Sequence, residues 1–184
     1  MILGLDISTS CTGWCLLNTD GTFNSAGYVP LTSYKCMFRK AEEAEKAIEN
    51  IVSQNNVSKI GIEQNLQSFR SGFSSAQTIS TLARFNGILS YIVFKKTGIF
   101  PEFINVNTAR KQAGIKVIRK SNGGAPVKEQ ILEWAQEELK NLKYSWPEKI
   151  LKSGPRKGQK IMHPGCFDIS DAFVIAIASY SMGS

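Results

Sequence analysis

No stretch of this 184-residue chain is apolar over anything near the roughly 18 residues that a bilayer-spanning helix needs. Cysteine is scarce: Cys11, Cys15, Cys36 and Cys166 make no disulfide framework in a chain long enough to bury its own core. Cys11 and Cys15 are four apart and His163 stands three before Cys166, but the paired spacings of a structural zinc site are missing, so buried free thiols are expected. A single histidine leaves no convincing catalytic triad. The opening Met1-Ile2-Leu3-Gly4-Leu5-Asp6 lacks the basic region of a signal peptide and carries an acid within its apolar run, so it reads as a core strand. A soluble, cytoplasmic setting is the expectation. Acids, too, are in short supply: 15 against 22 Lys and Arg, a net charge of +7. Lys149 to Lys160 contains five cations (Lys149, Lys152, Arg156, Lys157, Lys160) and no acid, and Arg110, Lys111, Lys116, Arg119 and Lys120 form a second acid-free group. Two such groups in one small domain favour a phosphate backbone as partner over mere solubility.

Apolar patterning orders the elements. Residues 1–7 form an apolar strand, and residues 12–18 and 22–29 form two more, with Asp20-Gly21 as the turn between them. Met37, Phe38, Ala41, Ala44, Ile48, Ile51 and Val52 recur at helical spacing within 34–54, with Lys40, Glu43 and Lys46 opposite. A strand over 59–63 follows, then a helix over about 74–96 with Ile79, Leu82, Phe85, Leu89, Ile92 and Val93 inward, ending at Gly98. The pattern continues with a strand at 102–106, a short helix capped by Asn107 or Thr108, and a helix over about 126–142 opened by Pro126. Val127, Ile131, Trp134, Ala135 and Leu139 make the stripe of that helix. The Pro-, Gly- and Lys-rich stretch 143–165 reads as an extended basic loop, and a last helix runs from about Asp168 to Met182. The expectation is one α/β domain over 1–184: a mixed five-stranded sheet, three antiparallel strands then parallel ones, flanked by helices.

Four acids stand out by position. Asp6 and Glu63 each terminate an apolar strand, and Asp168 and Asp171 share one face at the start of the apolar last helix. Each alone has a plain structural reading: Asp168 as an N-cap, Asp171 as a helix-dipole partner, Asp6 as a cap on Ser8-Thr9-Ser10, Glu63 as an ion-pair partner of Arg70 or a lysine. Four converging carboxylates would repel one another and cost stability unless a divalent cation neutralises them. Oxygen-only ligands favour Mg²⁺, with Mn²⁺ as a substitute, and two ions would suit in-line phosphodiester hydrolysis with no protein nucleophile. His163, five before Asp168, is either a proton shuttle or an idle loop residue.

Three blocks resemble the RuvC-type Holliday junction resolvases: LGLDISTSCTGWCLL (3–17) their first strand and hairpin, IGIEQ (60–64) their second acidic strand, and FDISDAFVIAIA (167–178) their closing helix. Order and spacing match over most of the chain. The resemblance implies a ribonuclease-H-like fold and a homodimer that places paired, symmetric nicks across four-way DNA junctions. It implies metal ligation by Asp6, Glu63, Asp168 and Asp171. Lys128 of PVKEQILEWA stands where the family carries a catalytic lysine, and Lys111 where it carries another basic residue. Phe69 or Phe73, with Arg70 beside them, takes the place of the junction-wedging aromatic, and Lys116, Lys152, Arg156, Lys157 and Lys160 are further DNA-binding candidates. The longer and more basic 143–165 segment points to a phage-type or other outlying member.

Rival readings remain open on the sequence. DISTSCTG (6–13) also resembles the phosphate-binding hairpin of actin-like ATPases and sugar kinases, although 184 residues leave no room for their second domain. A non-catalytic DNA-binding module would gain by losing its acids. A nuclease of the same fold acting on flaps or RNA/DNA hybrids shares all the metal chemistry.

Overall fold

The computed structural model describes residues 1–64 and 76–182. Strands β1 (Ile2–Ile7), β2 (Cys11–Leu17) and β3 (Phe23–Pro30) form an antiparallel meander. Helix α1 (Met37–Gln54) crosses to β4 (Lys59–Glu63), which pairs parallel with β1, and α2 (Ala76–Thr97) crosses to β5 (Glu102–Ile104), parallel with β4. The resulting five-stranded sheet has the order β3-β2-β1-β4-β5. Then come α3 (Val106–Gln112), α4 (Val127–Leu139) and α5 (Gly165–Ser181). This is the mixed sheet with helices on both faces that the sequence predicts.

Strand alternation sorts the side chains between two layers. Leu3, Leu5 and Ile7 of β1, with Ile60 and Ile62 of β4, pack against Ala41, Ala44, Ile48 and Ile51 of α1 and Phe85, Leu89 and Val93 of α2. The alternate residues face α5. There Ile2, Cys15 and Leu17 meet Ala172, Phe173 and Ala176, and α4 closes over them with Ala135 and Leu139. Helix α5 is therefore buried almost all round, between the sheet and the α3–α4 pair, which explains its apolar run from Ala172 to Ala178.

Several expectations need correction: Val127 of α4 is 38% exposed and not part of the inward stripe, and α3 is capped by Asn105, not by Asn107 or Thr108. Residues 143–165 are not an irregular loop throughout: Glu148–Ile150 and Lys160–Met162 pair antiparallel as a separate ribbon, β6 and β7. Three-residue strands in a lysine-rich setting leave no alternating apolar signal long enough to find. Phe38 is not inward but 70% exposed. At 3.6 residues per turn it stands about 100° round the helix from Met37, at the margin of the apolar stripe.

Candidate active site

The period of the strands places the first two acids. Asp6 follows Ile2 and Gly4 on the α5 face of β1, and Glu63 follows Lys59 and Gly61 on the α5 face of β4. Both strands run parallel, so both acids reach the same carboxyl-end edge of the sheet, where open α/β sheets form their sites. Helix α5 brings Asp168 in its first turn and Asp171 one turn on, the latter buried. The N-cap position belongs to Pro164, not Asp168, because the helix starts three residues earlier than its apolar pattern suggests.

Glycine allows α5 to lie this close. Gly4 and Gly61 precede the two acids by one pleat, and Gly13 is the register partner of Asp6. A Cβ at Gly13 would stand 2.0 Å from the Asp168 carbonyl oxygen, and one at Gly4 would stand 2.4 Å from that of Ala172. These glycines set the gap between the sheet acids and the helix acids.

The acids feel one another. Asp6 has its carboxyl pKa raised well above the ordinary value, first by burial and then by the charges of Glu63, Asp171 and Asp168. Glu63 is raised to about 7 by burial and by Asp171, against the opposing charges of Arg110 and Lys128. Asp171 and Asp168 are also raised, chiefly by burial. The Cys11 thiol hydrogen-bonds to Asp168, and burial and that carboxylate push its own pKa up, so the sulfur stays protonated and donates. Among the described residues Asp6 caps nothing: Ser8 organises the turn after β1, its Oγ accepting from the Cys11 N–H at 3.1 Å and donating to the Cys11 carbonyl at 2.7 Å. Buried Asn86 of α2 steadies the end of β4 by donating to the Glu63 carbonyl at 3.3 Å. Among the described residues, no three His, Cys, Asp or Glu side chains form a ready ligand sphere. What the four acids share is an electric field.

Two cations enter that field. Lys128, at the start of α4, acts on all four acids. Arg110 of α3 acts on Glu63 and Asp171, and its Nε is buried with no hydrogen-bond partner among the described residues. Sequence reasoning singled out Lys111 instead. Lys111 is exposed and lines a basic cleft with Arg110 and Lys116, and the short helix turns its neighbour, not it, toward the acids. The signal that could have found Arg110 was its place directly after Ala109, the buried residue of α3. Lys152, Arg156, Lys157 and Lys160 lie exposed on the β6–β7 ribbon, away from this cluster in sequence but rooted beside α5. Phe69, Arg70 and Phe73 lie outside the described residues. His163 stacks on Tyr28, ring centroids 4.6 Å apart, and its Nδ1 accepts the Gly165 N–H at 3.0 Å.

All four cysteines are free thiols. No helix among the described residues is long and apolar enough to cross a membrane.

Neither a family model nor a curated protein matches the chain. Solved structures do. Thermus thermophilus RuvC in complex with a Holliday junction substrate superposes with a TM-score of 0.61 at 11% identity, covering 100% of this chain and 95% of that one. A second Thermus thermophilus RuvC structure gives 0.59 at 14% identity, over 99% and 96% of the two chains. The yeast mitochondrial Holliday junction resolvase gives 0.54 at 14% identity, over 97% and 77%. The chain has a RuvC-type, ribonuclease-H-like fold.

Proposed function

We propose that this protein is a divalent-metal-dependent endodeoxyribonuclease for branched DNA, foremost the four-way junction, which it resolves by paired symmetric nicks as a homodimer. One observation carries the reading: three separate elements, β1, β4 and α5, deliver Asp6, Glu63, Asp168 and Asp171 into a single desolvated field. A fold does not assemble mutually repelling carboxylates for its own stability. The chemistry of the donors, though they form no ready-made ligand sphere among the described residues, supports that metal. The donor set is all oxygen, its one nearby sulfur stays protonated, and it suits two Mg²⁺ ions, with Mn²⁺ as a substitute. When bound, such ions supply an activated water and neutralise the leaving 3′ oxygen in an in-line displacement at phosphorus.

The chain's own residues do the rest. Asp6 and Glu63 hold their carboxylates from the rigid strand ends, and Asp168 and Asp171 from the buried helix. Cys11 fixes one Asp168 oxygen by donating its thiol hydrogen. Lys128 and Arg110 stand where they offset the charge of the acids and hold the non-bridging oxygens of the scissile phosphate. Lys111 and Lys116 extend that cationic surface along the cleft.

Two sites are needed to cut two symmetric strands. The apolar groove of Met37, Phe38, Ile88, Tyr91 and Ile92, between α1 and α2 on the far layer, supports a second copy of this chain as the partner. Phe38 and Tyr91 there are 70% and 63% exposed, one on each of the two helices that line the groove.

The experiment is cleavage of a synthetic four-way junction beside a linear duplex of matched sequence, with Mg²⁺ and with EDTA. Metal-dependent, symmetric nicks in the junction alone are the expected result. Cutting of flaps or RNA/DNA hybrids instead would keep the metal site and discard the junction. No cutting of any substrate would leave a DNA-binding module.

A further inference from the structure

The β6–β7 ribbon is unexplained by the acids. Its register pairs Glu148 with Met162, Lys149 with Ile161 and Ile150 with Lys160. Lys160 forms an ion pair with Glu148, and both lie on one face of the ribbon. That lysine is therefore occupied in holding the strands together. The nine residues between the strands form an ordered tip. The Leu151 N–H donates to the Gln159 carbonyl at 3.0 Å, the Gly158 N–H to Leu151 at 2.8 Å, and the Lys157 N–H to Gly154 at 3.0 Å. Gly154 and Gly158 take φ of +80° and +87°, which the turn requires of them. Lys152, Arg156 and Lys157 project from this frame, all exposed and with no ion pair or side-chain hydrogen bond among the described residues.

The root of the ribbon is as well defined as its tip. The His163 N–H donates to the Pro147 carbonyl at 2.8 Å, and the Cys166 thiol, in the first turn of α5, donates to the same carbonyl at 3.3 Å. His163 stacks on Tyr28 of β3. Both strands thus spring from the end of α5 that carries Asp168. Three cations, unpaired among the described residues, therefore sit on a hydrogen-bonded turn, at the tip of a ribbon rooted beside the first turn of α5. Ile150 and Met162, exposed on one face of the stalk, offer apolar contact of the kind deoxyribose accepts.

We propose that this ribbon grips the phosphate backbone of the duplex arm leaving the active site, through Lys152, Arg156 and Lys157, and so fixes which phosphate enters the cluster of acids. The inference rests on the branched-DNA reading above and names the element that registers an arm. A three-residue strand spans about 10 Å at about 3.3 Å per residue. With the tip added, the cations reach DNA within about five base pairs of the cut, at about 3.4 Å per pair.

The test uses the full chain carrying Asp6→Asn, so that binding is read without cutting. Binding of a four-way junction is measured across salt concentrations, with and without Lys152→Gln, Arg156→Gln and Lys157→Gln together. Each lost phosphate contact removes about 0.9 from the slope of log affinity against log salt, so the slope falls by about 3. Shortening the junction arms below about five base pairs weakens binding by the parent and leaves the triple variant unchanged. With the native Asp6 restored, the triple variant still nicks but spreads its cuts over neighbouring phosphates. Lys152→Arg with Lys157→Arg retains the parental slope, which separates charge from folding. An unchanged salt slope in the triple variant, or an equal response of both proteins to shortened arms, overturns the ribbon's role even if the wild-type protein resolves junctions. If the wild-type protein cuts nothing yet the slope still falls by about 3, the nuclease reading fails and the ribbon stands as a DNA-binding arm.

Discussion

At Asp6 a side chain that ends an apolar strand feels the charges of three further carboxylates, and the first consequence is electrostatic. Asp6→Asn or Glu63→Gln should lower cleavage by more than about 100-fold, beyond what losing a mere supporting partner of a metal site brings. Binding to a junction should hold or tighten, because charge facing phosphate is removed; electrophoretic binding assays beside cleavage gels check both. Titration gives an independent handle. The folded chain raises the pKa of these acids, Glu63 to about 7, so between about pH 4, where unfolded carboxylates titrate, and about pH 7 the native state holds more protons than the unfolded one. Stability in EDTA should therefore fall as pH rises through that window. Mg²⁺ should raise the melting temperature more at pH 7.5 than at pH 5, by several degrees at the higher pH, given about 2–4 °C per kcal/mol for a chain of this size. An equal shift at both pH values would remove these acids as the metal's ligands.

Between elements, the decisive quantity is the distance from α5 to the sheet. Gly13→Ala would put a methyl group into the Asp168 carbonyl, a backbone atom with nowhere flexible to go. Overpacking of this kind costs about 1–3 kcal/mol. It would also lift Asp168 away from Asp6, so activity should fall further than the thermal melt suggests, with far-ultraviolet circular dichroism preserved. Gly98→Ala provides the control: no atom lies within 4 Å of a Cβ there, but its φ of +71° makes the substitution strained, so it tests stability alone. The Gln130 side chain shows the same dependence on fixed elements. It accepts from the Ile118 N–H at 2.8 Å and donates to the Ile118 and Ala125 carbonyls at 2.9 and 2.6 Å, stapling the loop that holds Lys116 onto α4.

As a whole molecule the protein presents two faces that the proposed function would use: acids and cations at the carboxyl-end edge of the sheet beside α5, and an apolar groove between α1 and α2 on the other layer. Phe38→Glu with Tyr91→Glu should convert a dimer to a monomer in light scattering. The same pair should turn paired nicks into single, uncoordinated ones while each monomer keeps its acids. A wild-type protein that is already monomeric at micromolar concentration would remove the groove from this role.

The sequence by itself determined the order of the five main strands and of the helices between and after them, and picked out four acids by their place at the ends of apolar runs, because apolar periodicity and a charge at the end of an apolar run are local properties. Asp6 and Glu63 were legible from the residues before them, and Asp168 and Asp171 from a spacing of three. What it could not determine was contact across the chain. That Arg110 rather than Lys111 faces the acids depends on how a seven-residue helix rolls against α5. That a lysine-rich loop is a ribbon depends on two three-residue strands meeting with no patterning to announce them. That Gly4 and Gly13 matter depends on a helix arriving more than 150 residues later in sequence to occupy the space their missing side chains leave. Only tertiary structure decides such things, because packing and electrostatics act through distance in space, and sequence periodicity reports only which way each segment faces.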